Sequence, residues 1–321
     1  MMINYSHAKY TDYKGIQNFI NEYWASGHIL SHDREVFDHF FINMNKLQFF
    51  LAKDSKGNIE GILGYITNSQ FDKKIKQEIA WLSMWMAKRG LHEPVGIKLL
   101  KFLEDHLNVD FVASLGVGDQ VIPLYQRMGY ETGPMFHLMR SVSKNLNDIN
   151  KNYLISDSLN KEKQITFYEY KSDLYLKQKY LIRKFYNYLI FYIYEDKSYI
   201  STIIGRVLFD PKSKKNIFRI VDFSGDRNGI SIFAKYASFD KLSEKIDYID
   251  VLLSEVSFID NTVFETCTSQ NYLPLYFEPF ISDYKKKNFC FKKLNNENSE
   301  DLLIITGDCD QERPNIRCNA Q

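Results

Sequence analysis

Two shortages in this sequence each exclude a class of protein. Only four cysteines occur among the 321 residues, all close to the C-terminal end and without Cys-x-x-Cys spacing. We therefore expect neither a disulfide framework nor a zinc site. An apolar run of membrane length and an N-terminal secretory segment are also lacking, which predicts a soluble, cytoplasmic protein.

An excess of charge of one sign is missing as well. Lys and Arg total 41 against 40 for Asp and Glu, and the two signs also balance within each half. This balance argues against a protein whose main partner is nucleic acid or an anionic membrane surface.

What the sequence does contain is distributed unevenly. Hydrophobic residues make up 45% of the chain, whose length suits two domains. All seven histidines lie between His7 and His137. We interpret this as two domains, residues 1–145 and 151–321, of which the first carries the chemistry. The polar run 143–152 is the predicted linker, and drift in a Lys/Asn-rich composition is the alternative.

Hydrophobic periodicity predicts a similar order of elements in both halves. Helices and strands alternate, and each half contains a buried strand, a helix and a further strand in succession. In the first half these are residues 79–87, 96–107 and 110–115. In the second they are 217–223, 230–245 and 248–254, followed by a short helix near 261–267. We therefore predict an α/β fold with mixed sheets, built twice by duplication and divergence.

The most informative stretch is Leu124–Tyr130. Leu124, Tyr125 and Met128 share one helical face, and Gly129 is placed to stop the helix. A phenol fixed there, with a pKa near 10, could give a proton to a departing thiolate. Simple packing of Tyr125 in the core is the alternative.

The segment that follows strand 79–87 is a second candidate site. A loop that feeds a helix N-terminus presents unpaired N–H groups to an anion such as pyrophosphate. Lys88, Arg89 and Lys98 add positive charge, and Gly90 and Gly96 permit close backbone approach. An ordinary connecting loop would look similar.

Together the two stretches resemble the GNAT superfamily of acyl-CoA-dependent N-acyltransferases. Residues 124–130 keep its Leu-Tyr-x-x-x-Gly-Tyr pattern, with Asp119 near the position of the usual Asn. The family loop is Gln/Arg-x-x-Gly-x-Gly/Ala. Here only Gly96 matches, and Pro94 replaces the first glycine.

The resemblance implies roles for particular residues, with acyl-CoA as co-substrate and no metal. The strand edge Met84 to Ala87 would bind pantetheine, and a backbone N–H near Met86 would hold the oxyanion. Tyr125 would protonate the CoA thiolate. The remaining CoA contacts would come from Leu91, His92, Pro94, Val95, Gly96, Ile97, Lys98 and Asp119.

Three further segments resemble nucleotide-sugar N-acyltransferases: 24–37, 52–64 and 305–315. This resemblance implies transfer of an acetyl or 3-hydroxybutanoyl group to dTDP-3-amino-3,6-dideoxy-D-galactose, for surface polysaccharide synthesis. The acceptor residues would be Trp24, His28, His32 and Asp33, with His28 or Asp33 as the base. A helix N-cap is the alternative for Asp33, and a core hydrogen bond is the alternative for His28.

The second half lacks both motifs, so we predict a degenerate GNAT-like domain. Its Asp222 and Ser224 could line the acceptor site, with a polar turn that caps a helix as the alternative. His137, on a strand after the Tyr125 motif of the first half, could reach the same cleft. The acidic run Asp308–Glu312 is expected to be a solvated tail. Two other functions remain open. A tRNA-dependent aminoacyl transferase also uses paired GNAT-like domains, and a non-catalytic module would no longer bind CoA.

Overall fold

A computed structural model describes most of the chain. The described residues are 2–143, 153–158, 171–183, 185–240, 242–269, 272–273, 275–277, 280–282, 286–295 and 302–314. No helix in these ranges is long and apolar enough to cross a membrane.

The first half begins with helices and continues into a sheet. Its helices are α1 (Tyr13–Phe19), α2 (Ile29–His32), α3 (Arg34–Phe41), α4 (Val95–His106) and α5 (Ile122–Arg127). Its strands are β1 (Asn4–His7), β2 (Ile42–Asn43), β3 (Lys46–Leu47), β4 (Phe49–Lys53), β5 (Ile59–Thr67), β6 (Ile79–Ala87), β7 (Phe111–Val117) and β8 (Glu131–Pro134). The predicted strand 79–87 and the helix after it are confirmed, the helix beginning and ending one residue earlier.

The second half contains longer strands and fewer helices. Its helices are α6 (Asp173–Leu176) and α7 (Gly229–Tyr236). Its strands are β9 (Phe136–Ser141), β10 (Tyr153–Ser156), β11 (Leu189–Glu195), β12 (Ser198–Asp210), β13 (Lys215–Gly225), β14 (Tyr248–Leu253), β15 (Glu265–Thr266), β16 (Leu275–Phe277), β17 (Phe280–Ser282) and β18 (Asn288–Lys293).

Two predicted helices of the second half differ in the structure. The helix predicted over 230–245 ends at Tyr236, because Ala237 takes an extended conformation with ψ 129°. The helix predicted near 261–267 is wrong: residues 261–263 form a turn, and β15 pairs with β9.

The same strand–helix–strand arrangement occurs twice. β6, α4 and β7 form the first, and β7 pairs with β6 in parallel from Ile79–Phe111 to Trp81–Ala113. β13, α7 and β14 form the second, with a parallel pairing of the same length. The predicted α/β class with mixed sheets is thereby confirmed, and so is the repeated order of its central elements.

Each repeat is completed by a strand from elsewhere in the chain. The two seven-stranded sheets have the orders β1-β4-β5-β6-β7-β18-β8 and β10-β11-β12-β13-β14-β9-β15. β18, late in the chain, follows β7 in the first sheet. β9, which precedes the second repeat, follows β14 in the second sheet.

Two compact units result from this arrangement. Unit 1 comprises Met1–Thr132, Cys290–Ser299 and Cys309–Gln321. Unit 2 comprises Gly133–Phe289 and Glu300–Asp308. The linker predicted over 143–152 lies, apart from residue 143, outside the described residues.

The core of unit 1 fixes the position of the helix after β6. Leu99, Leu100 and Leu103 of α4 are fully buried and pack against β4, β5 and β6 in a cluster that also contains Tyr125. Burying such a side chain contributes about 1.5–3 kcal/mol. The start of α4 is therefore held by apolar packing one turn further along the helix.

Candidate active site

Strands β6 and β7 pair over their first three residues and then diverge. Their pairing ends at Trp81–Ala113, although both strands continue. β6 also bulges there: Met84 has a φ of 53°, and the register with β5 jumps from Ile62–Met86 to Gly64–Ser83. A bulge redirects the backbone of a strand. The predicted pantetheine edge from Met84 to Ala87 therefore begins with an irregular backbone, at a point where β7 no longer pairs with β6.

The helix α4 begins next to this edge without a side-chain cap. Pro94 occupies the N-cap position, and Gly90 has a φ of 78° in the preceding loop. The first N–H groups of a helix have no partner within it, and the helix dipole adds positive potential there. The predicted loop residues surround this helix start: Leu91, His92, Pro94, Val95, Gly96, Ile97 and Lys98.

Trp85 of β6 fixes the helix start directly. Its indole N–H donates a hydrogen bond of 3.0 Å to the carbonyl oxygen of Gly96. A Cβ at position 96 would lie 3.4 Å from that nitrogen. That distance is an ordinary van der Waals contact, so the space beside Trp85 does not by itself require glycine at this position.

Two of the three cations predicted near the helix start, Lys98 and Lys88, are paired, Lys88 with Glu60 at 3.0 Å. Lys98 forms an ion pair with Glu93, and the hydroxyl of Tyr5 donates to Glu93 at 3.2 Å. Because the ammonium of Lys98 has this partner, the attraction for an anion depends chiefly on the backbone N–H groups and the helix dipole.

Tyr125 lies on α5 in the core of unit 1. Its side chain is 3% exposed, and its ring centroid lies 5.5 Å from that of Trp85. Burial, followed by the neighbouring thiol of Cys290, raises its pKa well above 10, and Ser114 also hydrogen-bonds to the phenol. The phenol therefore keeps its proton and can donate it. Gly129, with a φ of 82°, follows the helix as expected.

The structure places the acceptor-side candidates around the short N-terminal helices. His28 is the N-cap of α2, and Asp33 is the N-cap of α3, where its carboxylate accepts from the N–H of Val36 at 3.0 Å. Trp24 and His32 are exposed, as is Asp119 before α5. Asp33 is therefore seen as a helix N-cap, which was the alternative to its role as the base.

His28 faces a positive charge. Its Nε2 lies 2.9 Å from Nη1 of Arg313. Burial, followed by this guanidinium, lowers the pKa of His28 to about 4. The imidazole is therefore neutral at physiological pH, and a proton added at Nε2 would be repelled by Arg313.

The acidic run near the C-terminal end is not a solvated tail, so that expectation was wrong. Asp308, Asp310 and Glu312 are all buried. Buried carboxylates need charged or hydrogen-bonding partners, and these partners lie far away in the sequence. Composition alone could not reveal these partners. The resemblance of residues 305–315 to acyltransferases was a sign that this segment belongs to the folded protein.

Asp310 has its partners in unit 1. Its Oδ2 accepts from the hydroxyl of Ser83 at 2.6 Å and from Nε of Arg313 at 3.2 Å. Burial alone would raise the pKa of Asp310, but Arg313 and the hydrogen bonds from Ser83 and Cys309 lower it overall. The carboxylate is therefore ionised beside the bulge of β6.

The remaining predicted acceptor residues, His137 of the first half and Asp222 and Ser224 of the second, all lie in the interior of unit 2. His137 Nε2 is 2.8 Å from Asp250, which also pairs with Arg219. Asp222 accepts from Lys171 at 2.7 Å. Ser224 is fully buried. Within unit 2 the structure thus groups Asp222 with Lys171, and His137 with Asp250 and Arg219.

The counterpart of the phosphate loop in unit 2 is acidic. Asp226 and Asn228 precede α7 and line a cavity of about 430 Å³ that also contains Glu195 and Asp260. Carboxylates repel phosphate, so this site is unlike the helix start of unit 1. Within the described ranges, no group of three His, Cys, Asp or Glu side chains is arranged to hold a metal ion.

Sequence comparison matches the chain to no family model and to no curated protein. Structural comparison does find relatives of the fold. A GCN5-related N-acetyltransferase from Anabaena variabilis is 11% identical with a TM-score of 0.59, over 92% of this chain and 73% of that one. An Enterococcus faecalis protein, for which an N-acyltransferase activity has been suggested, is 10% identical with a TM-score of 0.56 over the same shares.

A third similar structure belongs to a larger protein. It is a GCN5-related glucosamine N-acetyltransferase region of a fungal multi-domain β-N-acetylglucosaminidase, 10% identical, with a TM-score of 0.50, over 91% of this chain and 38% of that one. At such identities the comparisons establish the fold alone. The predicted fold class is confirmed: the chain has the fold of the GNAT N-acetyltransferases, with two GNAT-like domains.

Proposed function

We propose that the chain is an acyl-CoA-dependent N-acyltransferase with one active site, in unit 1. One observation carries the proposal. The divergence of β6 and β7, the uncapped start of α4 and the protonated Tyr125 occur together around Trp85. These are respectively a strand edge for an extended acyl carrier, an anion site for its pyrophosphate and an acid for its thiolate.

In the proposed reaction, the backbone near Met86 and the phenol of Tyr125 act at successive steps. The acceptor amine attacks the thioester carbonyl carbon, and a carbon–nitrogen bond forms as the carbonyl oxygen becomes negative. A backbone N–H near Met86 stabilises that oxygen, which is the kind of preorganised contact that lowers such barriers most. When the carbon–sulfur bond breaks, Tyr125 donates its proton to the CoA thiolate.

The acceptor we propose is a nucleotide-linked amino sugar, with dTDP-3-amino-3,6-dideoxy-D-galactose as the first candidate. The support is the resemblance of three segments to enzymes of that class. Two of these segments meet in unit 1, where Arg313 contacts His28. The fungal neighbour is described as a glucosamine N-acetyltransferase region, so an amino-sugar acceptor is compatible with this fold.

In this scheme unit 2 takes no part in binding acyl-CoA. The acidic loop before α7 opposes phosphate binding, and Gly229 packs so closely on Ser201 that a Cβ would clash. We therefore propose that unit 2 does not bind acyl-CoA.

The test is a transfer assay with the full chain. Acetyl-CoA and 3-hydroxybutanoyl-CoA are each incubated with dTDP- and UDP-linked amino sugars, and both CoA thiol release and product mass are measured. The matched control is the same sugar with a hydroxyl in place of the amine. Amine-dependent thiol release supports the proposal. Transfer of an aminoacyl group from aminoacyl-tRNA without acyl-CoA would indicate the transferase alternative, and absence of both this transfer and CoA binding would indicate a non-catalytic module.

A further inference from the structure

The segment Cys309–Arg313 contacts both diverging strands of unit 1. The thiol of Cys309 donates to the carbonyl oxygen of Leu82 on β6 at 3.0 Å. The side-chain amide of Gln311 donates to the carbonyl oxygen of Leu115 on β7 at 3.2 Å. These two carbonyls lie just past the last paired residues, so the segment is anchored where the strands separate.

The segment has an unusual backbone that presents its acidic residue. Cys309 is a non-glycine residue with a φ of 60°. Such a conformation carries strain of about 1–3 kcal/mol and persists only where the surrounding contacts hold it. Here it directs Asp310 to Ser83, the residue immediately before the bulge at Met84.

The two oxygens of Asp310 are in different situations. Oδ2 is saturated by the short bond from Ser83 and the bond from Arg313. Among the described residues, Oδ1 has two long contacts: the thiol of Cys309 at 3.3 Å, whose one proton is shared with Leu82, and the amide of Gln311 at 3.5 Å. One oxygen therefore fixes the carboxylate, and the other retains acceptor capacity for a stronger donor such as an amine.

The other candidate bases of unit 1 are committed to other contacts. Asp33 caps α3, Glu93 pairs with Lys98, and His28 faces the guanidinium of Arg313. Arg313 contacts both His28 and Asp310. It lowers the pKa of both groups, so the imidazole is neutral whereas the carboxylate carries the negative charge that attracts an amine.

We propose that Asp310 is a catalytic residue that binds the acceptor amine and takes up its proton. The inference rests on the proposed N-acyl transfer. As the carbon–nitrogen bond forms, Oδ1 of Asp310 accepts one amine proton. As the carbon–sulfur bond breaks, Tyr125 gives one proton to the thiolate. Solvent then removes the proton from Asp310 and restores that of Tyr125, so no other reactant is needed.

The first experiment compares Asp310→Asn with Asp105→Asn, which changes an exposed carboxylate of unit 1. CoA affinity, measured by calorimetry, should stay within about twofold in both variants, while kcat/KM for the amino sugar should fall about 100-fold or more only in Asp310→Asn. Unchanged kcat/KM in a folded Asp310→Asn chain would overturn the proposal. Failure of the unaltered chain to bind CoA or transfer an acyl group would instead defeat the proposed function.

A second variant covers the case in which Asp310→Asn does not fold. Arg313→Gln removes the charge that lowers the pKa of Asp310, so the acidic limb of the kcat/KM profile should move to higher pH. Ser83, Cys309 and Gln311 also face Asp310 but carry no charge, whereas His28 faces Arg313 and titrates. The shift should therefore persist when His28→Asn is added. An acidic limb that stays in place in both backgrounds would contradict the role of Asp310.

Discussion

Nη1 of Arg313 lies 2.9 Å from Nε2 of His28, so a guanidinium occupies the direction in which the imidazole would take up a proton. His28 has its other ring nitrogen 3.3 Å from the N–H of Leu30, as the N-cap of α2. We therefore infer that His28 has a structural role, as the cap of α2, and does not act as the base. The carboxylate of Asp310, on the far side of Arg313, keeps its negative charge and can attract the proton of an amine.

The first prediction concerns His28→Asn, which retains a good helix cap. Since the imidazole takes no proton in our scheme, kcat/KM should fall less than about tenfold, against the 100-fold or more expected for loss of a general base. His32→Asn, at an exposed neighbouring position, is the matched control. A 100-fold loss in His28→Asn alone would restore His28 as the base.

His28 should also make stability depend on pH. Burial and Arg313 lower its pKa from 6.5 to about 4 in the folded chain. On acidification the unfolded state is protonated first, so the free energy of unfolding falls as the pH drops from about 6.5 to about 4. Urea unfolding should show this loss to be smaller in His28→Asn. An identical pH response in both chains would contradict the assigned environment.

Tyr125→Phe tests the proposed acid. The ring should keep its packing against Trp85, and loss of the hydroxyl should cost about 1 kcal/mol of stability. CoA affinity should be unchanged, while kcat should fall by about 100-fold or more. Because the pKa of Tyr125 is raised well above 10, its deprotonation should not limit the rate below about pH 10 in the unaltered chain. Full turnover of the variant would refute the role.

Leu103→Ala tests the packing that holds α4. The side chain is fully buried, so its truncation should lower the free energy of unfolding by about 2–5 kcal/mol. Lys101→Ala, on the exposed side of the same helix, should change it by less than about 0.5 kcal/mol. Equal effects in urea unfolding would show that α4 is not anchored by its apolar face.

Lys171→Met tests the ion pairs inside unit 2. The ammonium lies 2.7 Å from Asp222 and 2.8 Å from Asp308, and all three side chains are buried. Removing it leaves buried carboxylates without their counter-charge, so the free energy of unfolding should fall by about 3–5 kcal/mol. Lys215→Met, which breaks a more exposed pair with Asp247, should cost about 1 kcal/mol or less.

Acidification should partly rescue Lys171→Met. Burial raises the pKa of Asp308, and Lys171 opposes that rise. Without the lysine, the folded chain binds a proton at Asp308 more readily than the unfolded chain does, so the destabilisation should shrink as the pH falls. A loss independent of pH would mean that packing, not charge, explains the effect.

Local pattern predicted the repeated elements well. The apolar run 79–87 is β6 to the residue, and the leucines spaced along α4 are its buried face. The helix stop at Gly129 was also readable, because its left-handed conformation favours glycine. Each of these features depends on neighbours within a few positions of the sequence.

Features that depend on residues far away in the sequence could not be predicted from local patterns. Nothing near Asp310 indicates that Ser83, more than 200 positions earlier, donates to its carboxylate. The completion of each sheet by β18 or β9 likewise has no local signature. The bulge at Met84 lies inside a nearly all-apolar run, in which the pattern of hydrophobicity does not indicate an irregular backbone.

The central claim is one acyl-CoA site per chain, in unit 1. Calorimetric titration of the unaltered protein with CoA tests it most directly, since the heat of binding gives both affinity and stoichiometry. We predict one CoA per chain, with binding weakened in Trp85→Ala, which removes the indole contact to Gly96. Two equivalents per chain would contradict the degenerate unit 2, and no measurable binding would contradict the account as a whole.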